Sequence, residues 1–368
     1  MSIKSDRIYY MDSMRSILMT LGIVLHSANV FTDTQWAIQN NQTSEFFSYL
    51  VDLIHAFRMP AFFIVSGFFC HMTLSRYGSK LFLSTRIPRI LIPLLVVAIS
   101  LNTLQNWILS DYHETDFTIF TIEYWLQGKW ISHLWFLNCL IYYFFTAALL
   151  HTFIPKTLTY SSDLLSRLML SSNGLYLFIA PVVTLIFLKV SYQIPEFPFN
   201  AYNLCIAESI KYAPFFIFGS LLGYNRNLMH DFIKTKAIFT IITALFFIAY
   251  IFIPTDKTST HYIFDLYIHS LIPWILCVLC FKFFNRFFNK ESGFFSYLSE
   301  ASYTIYLFHQ FFVIAYGIVL INTELNIILK FIILISTTFI STHIIHKYFI
   351  LKFDTARYMF NGKKNTNV

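Results

Sequence analysis

The residues of this chain best suited to chemistry are Arg15 and His26, which are separated by ten residues on the first long apolar segment. An ionisable side chain inside a membrane span is costly to hold there, so it marks a candidate functional site. Arginine suits the recognition of phosphate or carboxylate, and neutral histidine suits general-base catalysis. The pair therefore predicts an anion site and a catalytic site on one helix.

Further ionisable residues lie at the depth of His26, which is about 16 Å beyond Arg15 at the usual rise of about 1.5 Å per helical residue. His55 and Arg58 reach that depth on the second apolar segment, and His309 reaches it on the ninth. For histidines other than His26, a hydrogen-bonded interior role is the competing interpretation. The predicted catalytic group is His26, Arg58, His55, His309 and Tyr306.

The level of Arg15 is shared by Arg86 and Arg89, at the start of the third apolar segment. Three guanidinium groups could therefore face one anion, although basic residues at span ends also act as topological anchors. Asp12, three residues before Arg15, is placed to hold it on one helix face. Together with Ser66, a small polar residue on the second segment, these residues form the predicted donor-binding group.

At the opposite ends of the spans, His133 and Trp135 open the fourth apolar segment and are predicted to contact an acceptor. Trp135 alone would be an ordinary interfacial residue. His343 and His346, near the end of the last segment, are interpreted as solvated anchors. The five cysteines lie in or beside apolar segments and are interpreted as buried thiols, and no metal site is predicted.

Composition determines the fold class. The 368 residues are 57% hydrophobic and only 12% charged, and mean hydropathy is +0.60. Such a chain is typical of an integral membrane protein. A transmembrane β-barrel would show short alternating segments, whereas the apolar runs here are long and continuous. We therefore predict an all-α, polytopic membrane protein.

About ten spans are predicted from apolar runs of roughly 20 residues. Basic residues concentrate at the N-terminus, after the even-numbered spans and in the tail, which places both termini in the cytoplasm. Because these charges are dispersed over separate loops, no nucleic-acid partner is predicted. Residues 1–350 form one transmembrane domain, and 351–368 form a short basic cytoplasmic tail. The spans are 16–31, 46–72, 87–109, 133–153, 175–190, 212–224, 237–253, 263–284, 301–321 and 327–348.

Four ordered motifs resemble the acyltransferase 3 family of membrane acyltransferases, and the resemblance runs along the whole chain. They are DSMR followed after ten residues by His26, FIVSGF at 63–68, RIPRILIP at 86–93 and SYTIYLFH at 302–309. Further stretches resemble the branch that modifies osmoregulated periplasmic glucans. They are 9–26, IHAFRM at 54–59, ISHLWFL at 131–137 and YAPFFIFG at 212–219.

The resemblance implies a bacterial inner-membrane enzyme that moves an acyl group from a cytoplasmic acyl-coenzyme A to hydroxyls of a periplasmic glucan or another glycan. In the glucan branch the acyl group is succinyl, and acetyl is the alternative. It implies no permanently bound cofactor, contact with membrane lipid and a possible association with glucan synthesis machinery. The chain has Ser13-Met14 where the wider family has Gly-Leu, and we expect the spans to perform the chemistry without the soluble domain that some members append.

Two other functions are compatible with a bundle of many helices that carries histidine and arginine near mid-membrane. The first is a proton-coupled transporter of a small anion or glycan precursor. Carriers built from inverted repeats tend to have interrupted spans at corresponding positions of their halves, whereas the ionisable residues here crowd into spans one to three and nine. The second, a structural subunit of an export assembly, would leave His26 and Arg58 without a role. The sequence leaves open whether the acyl group passes directly or rests on a residue such as Ser66.

Overall fold

The computed structural model describes residues 8–363 apart from 118–120, 127, 129, 172–175, 195–204, 237, 239–240 and 243–258. Within these ranges the chain is helical and contains no strand. A 3₁₀ turn at Ser132–Leu134 precedes α6, and a π-helix at His346–Ile350 follows α13. The helices are α1 (Tyr9–Asn29), α2 (Glu45–Arg86), α3 (Pro88–Ile99), α4 (Leu101–Tyr112), α5 (Ile122–Leu126), α6 (Trp135–Phe153), α7 (Pro155–Ser171), α8 (Tyr176–Ser191), α9 (Ile206–Tyr224), α10 (Arg226–Lys234), α11 (Ser259–Phe287), α12 (Gly293–Ile321), α13 (Ile327–Ile345) and α14 (Asp354–Asn361).

Local sequence explains where the long helices start and bend. Ser44 begins α2 because its hydroxyl accepts the Phe46 amide proton, and Ser292 begins α12 by the same type of cap. Gly78, at φ 73°, interrupts α2 near its end, a backbone conformation that favours glycine. Pro88 then occupies the first turn of α3, where its missing N–H costs nothing.

Five helical stretches of the described chain are long and apolar enough to cross a membrane: Glu45–Tyr112, Ser132–Phe153, Phe264–Phe287, Gly293–Ile321 and Ile327–Ile350. The first contains two predicted spans, because α2, α3 and α4 follow one another almost without a break. Most of the predicted span 237–253 lies outside the described residues. The chain is a multi-pass helical protein, and the count of ten and the cytoplasmic termini stay predictions.

Close helix contacts hold the bundle together. α1 packs along α12, and α2 packs along α9. Where α2 crosses α9, a Cβ on Gly67 would meet the carbonyl oxygen of Phe216, and a Cβ on Gly219 would meet that of Ile64. Small residues at such crossings allow backbones to approach in membranes. The crossing fixes α2, which carries Arg58 and Ser66.

Besides the five-residue α5, the helices α7, α10 and α14 lie in segments that the span prediction treated as loops or tail. Because polar residues interrupt α7, α10 and α14, these helices contain no long apolar run and were not predicted as spans. The interpretation of His346 as a solvated anchor is wrong, since this residue is 0% exposed and its Nδ1 lies 2.9 Å from the Thr304 hydroxyl. His343 is partly buried, and its Nδ1 donates to the Phe339 carbonyl at 2.9 Å.

Candidate active site

The packed helices α1 and α12 contribute to two polar regions. Arg15 and Ser299 meet in the first, and His26 and His309 meet in the second. We call the first region the arginine pocket, a cavity of about 260 Å³ whose lining includes Arg15, Ser66, Arg86, Arg89 and Ser299. We call the second the histidine cluster, which consists of His26, Arg58, His133, Tyr306 and His309.

Arg15 is held at the arginine pocket by contacts on two sides. Its Nη2 donates to the Ser299 hydroxyl at 2.8 Å and lies 3.7 Å from Asp12 Oδ1. Its guanidinium also lies over the Phe69 ring, 5.7 Å from the centroid. Asp12 lines a separate cavity of about 160 Å³. Asp12 therefore contacts Arg15 at the edge of the arginine pocket without lining it.

Arg86 and Arg89 reach the pocket from the end of α2 and the start of α3. Arg86 Nη2 donates to the Thr73 hydroxyl at 3.1 Å. The main-chain oxygen of Arg89 accepts a 3.1 Å bond from the Tyr303 hydroxyl, which ties α3 to α12. The structure thus brings the three arginines and Ser66 around one cavity, as an anion site requires.

The C-terminal segment completes the lining of the arginine pocket. α14 packs against α3, and both Asn361 and Lys363 line the cavity. Asn361 is 8% exposed, and its Oδ1 is buried without a hydrogen-bond partner among the described residues. Gly362 has φ 58°, and a Cβ there would meet the backbone of Arg89. Sequence reasoning missed these residues because they follow the last apolar segment.

Aromatic side chains lie between the arginine pocket and the histidine cluster. Phe62 and Phe136 line the pocket with ring centroids 4.7 Å apart. Phe136 also lies 5.9 Å from the Tyr306 ring of the cluster. None of the described residues that line the pocket is a histidine. The two regions are therefore neighbours joined through Phe136.

The geometry of His309 fixes its tautomer. Its Nδ1 lies 2.7 Å from the carbonyl oxygen of Tyr306, and a carbonyl can only accept, so Nδ1 carries the proton. The lone pair is left on Nε2, which is buried and has no partner among the described residues. His309 therefore presents a hydrogen-bond acceptor to the interior of the cluster.

Gly22 on α1 makes room for this acceptor and for Arg58. The position that a Gly22 Cβ would occupy lies 2.8 Å from Arg58 Nη1 and 2.9 Å from His309 Nε2. Real Cβ atoms essentially never approach so closely. The sequence predicted Arg58 and His309 at one depth but did not single out Gly22, although a glycine in a helix commonly has a packing reason.

His26 lies between His309 and a loop tryptophan. Its ring centroid is 5.1 Å from that of His309 and 5.5 Å from that of Trp36, on which it stacks at 25°. Its Nδ1 is buried without a partner among the described residues. Trp36, in the connection between α1 and α2, was missed by sequence reasoning because a loop residue shows no periodicity.

Tyr306 and His133 complete the cluster. The Tyr306 hydroxyl donates to the main-chain oxygen of His133 at 2.8 Å. The His133 ring lies 5.6 Å from the Tyr306 ring and 5.3 Å from the His309 ring. The turn that starts α6 thereby delivers His133 to the interior of the bundle.

Buried amides extend this polar region beyond His309. Nε2 of Gln310 and Nε2 of Gln105 both donate to the Ser132 hydroxyl, at 3.0 and 3.4 Å. The side-chain oxygens of Gln105, Gln310 and Asn102 are buried without partners in the described part of the chain. These amides were not predicted, since single polar residues in apolar helices usually have structural roles.

Two predicted residues lie away from the cluster. His55 is exposed on the surface of α2. Trp135 stacks on Tyr212 at 5.6 Å and lies 6.5 Å from Phe63. The structure does not bring either side chain against His26, and their predicted roles stay predictions. Among the described residues, no group of three His, Cys, Asp or Glu side chains could hold a metal ion.

Comparison with known proteins identifies the family of this chain. A family model described as an acyltransferase domain, that of acyltransferase 3, matches residues 8–346. The chain belongs to this family, and it is therefore a multi-pass membrane acyltransferase.

Its curated relatives include Glucans biosynthesis protein C of Salmonella gallinarum (strain 287/91 / NCTC 13346) and that of Salmonella heidelberg (strain SL476). Each is 29% identical over 332 residues, which cover 86% of this chain and 85% of the relative. The protein of the same name from Salmonella typhimurium (strain LT2) matches to the same extent. No solved structure matches the chain significantly.

Proposed function

We propose that this protein transfers an acyl group, succinyl in preference to acetyl, from cytoplasmic acyl-coenzyme A to hydroxyls of a periplasmic glucan, in the bacterial inner membrane. The observation that carries the proposal is that α1 and α12 contribute both to a pocket lined by three arginines and to a histidine cluster. The relatives named for glucan biosynthesis support the choice of acceptor.

The arginine pocket suits the phosphates of the donor. Arginine offers planar, permanently charged donors for bidentate phosphate contacts, and Arg15, Arg86 and Arg89 line one cavity. The pantetheine arm would then extend past Phe62 and Phe136 toward Tyr306. Because these rings separate the pocket from the histidine cluster, the arm must displace at least one of them.

The histidine cluster suits the transfer step. The acceptor hydroxyl attacks the thioester carbonyl carbon, and His26 takes its proton, a role that contributes roughly 10²–10⁴ in rate. Arg58 stabilises the charge on the carbonyl oxygen, as oxyanion donors do. The C–S bond then breaks, and the proton held by His26 passes to the leaving thiolate, giving free coenzyme A and a glycan ester.

Mass spectrometry of periplasmic glucans tests the proposal. Glucans would be compared from a deletion strain that carries the intact gene, its His26→Ala variant or its His230→Ala variant, with equal membrane expression confirmed. His230 is a suitable control because its side chain is 61% exposed on α10. Succinyl esters are expected with the intact gene and the control only. Identical glucans in all strains would refute the acceptor assignment, and esters made by His26→Ala would refute the role of His26.

A further inference from the structure

A cleft of about 490 Å³ opens beside Trp36 and shares no described lining residue with the arginine pocket. One wall comes from the connection between α1 and α2, and the other from the end of α4. The cleft is lined by Gln35, Trp36, Gln39, Tyr112, His113 and Glu114.

Trp36 connects this cleft to the histidine cluster. Its ring stacks on the His26 ring at a centroid distance of 5.5 Å, and the same residue lines the cleft. A ligand in the cleft would thus contact the side chain that contacts His26. None of the described residues that line the cleft is itself a member of the histidine cluster or lines the arginine pocket.

Contacts on both sides of the cleft hold the loop that carries Trp36 in place. His113 Nε2 donates to the Ala37 carbonyl at 2.9 Å, which joins the two walls. Lys330 Nζ donates to Asn40 Oδ1 at 2.9 Å, and Lys330 is only 5% exposed. Ile38 is buried where Gly317 leaves space for it. The loop backbone is therefore a packed part of the fold, so a movement of Trp36 is confined to its side chain.

The chemistry of the cleft fits a neutral carbohydrate. Tryptophan and tyrosine offer flat apolar faces with a polar edge, which suit the C–H face of a sugar ring. Gln35, Gln39 and Glu114 offer acceptors for sugar hydroxyls. No lysine or arginine is among the described lining residues, and Glu114 adds a negative charge, so an anionic ligand fits poorly.

We propose that this cleft binds an unsubstituted sugar residue of the glycan acceptor on Trp36, which turns aside to admit one hydroxyl to His26. The inference rests on the proposed function and extends it to the acceptor site. It also predicts preference for neutral over already succinylated sugar residues, because Glu114 repels the new carboxylate.

Direct binding separates this inference from the proposed reaction. Saturation-transfer NMR would measure binding of an unsubstituted glucan oligosaccharide, isolated from the deletion strain, to detergent-purified protein. Trp36→Ala should weaken binding about tenfold, the upper end for one aromatic contact, and Gln39→Ala severalfold. Trp107→Ala is the control, since this tryptophan of α4 is 54% exposed and does not line the cleft.

Catalysis provides the second measurement. In Trp36→Ala, thiol release from acyl-coenzyme A without glucan should rise, because water gains access to His26, while the donor KM is unchanged. Trp36→Phe should retain part of the glucan affinity, which guards against a variant that merely fails to fold. Equal glucan binding by wild type and Trp36→Ala, or no glucan binding by the wild type, would overturn the inference. Glucan binding without any ester formation would instead refute the proposed reaction and retain the cleft.

Discussion

The arginine pocket and the histidine cluster share two helices and differ in how the nitrogen atoms of their basic side chains are partnered. In the pocket, Arg15 and Arg86 donate to hydroxyl groups. In the cluster, His26 Nδ1, Arg58 Nε and His309 Nε2 are buried without partners among the described residues. A buried unpartnered polar atom costs about 1–3 kcal/mol, so the cluster holds polar groups that the fold does not need.

This difference predicts two kinds of loss. A variant in the cluster should reduce the rate of the chemical step without harming donor binding. A variant in the pocket should weaken donor binding. The loss should be partial, because two of the three arginines remain. Separate measurement of kcat and KM therefore tests whether the two regions have different roles.

His26→Ala should give the largest effect. We expect kcat to fall by about 10²–10⁴ because the proposed general base is lost, with donor affinity within a factor of about two. Detergent-purified protein, thiol release with saturating glucan and separate coenzyme A binding would measure both quantities. A large loss of coenzyme A binding by His26→Ala would show that the cluster and the pocket are one binding site.

Gly22→Ala should come next, although it removes no functional group. The added Cβ would lie 2.8 Å from Arg58 Nη1 and 2.9 Å from His309 Nε2, so both side chains must shift. Misplacement of reacting groups by about 1 Å costs up to about 10²-fold in rate. Gly293→Ala is the matched control, since a Cβ there meets nothing within 4 Å. Equal kcat for the two variants would remove Arg58 and His309 from the chemistry.

The helices were predictable from sequence more fully than the cluster. Long apolar runs place α1, α2 and α12, and helical rise places Arg58 and His309 near the depth of His26. The sequence alone does not show which helix faces contact one another. The position of Trp36 depends on the bond between Lys330 and Asn40, which are 290 residues apart, and no local pattern encodes such a contact.

Arg15→Ala tests the role of the arginine pocket in donor binding. Hydrogen bonds to charged groups contribute about 1.5–3 kcal/mol, so the KM for acyl-coenzyme A should rise about 10- to 100-fold with kcat nearly unchanged. Acyl-pantetheine, which lacks the nucleotide phosphates, should be used equally well by both proteins. Arg76→Ala is the control, because this arginine is exposed on α2 and does not line the pocket. An equal loss with acyl-pantetheine would place Arg15 at the thioester instead.

The smallest effect is expected at the C-terminal edge of the pocket, where Lys363 is exposed. Surface ion pairs contribute at most about 1 kcal/mol, so Lys363→Ala should raise the donor KM by no more than about fivefold, and less at high salt. Lys352→Ala, on an exposed residue that does not line the pocket, controls for net charge.

Asn361→Ala should act on KM alone, since its buried Oδ1 has no partner in the described chain that the substitution would disrupt. A fall in kcat with unchanged KM in either pocket variant would mean that α14 stabilises the helix bundle and does not contact the donor. Residues that line the pocket would then act on the chemical step, and the contrast between a binding pocket and a chemical cluster would fail.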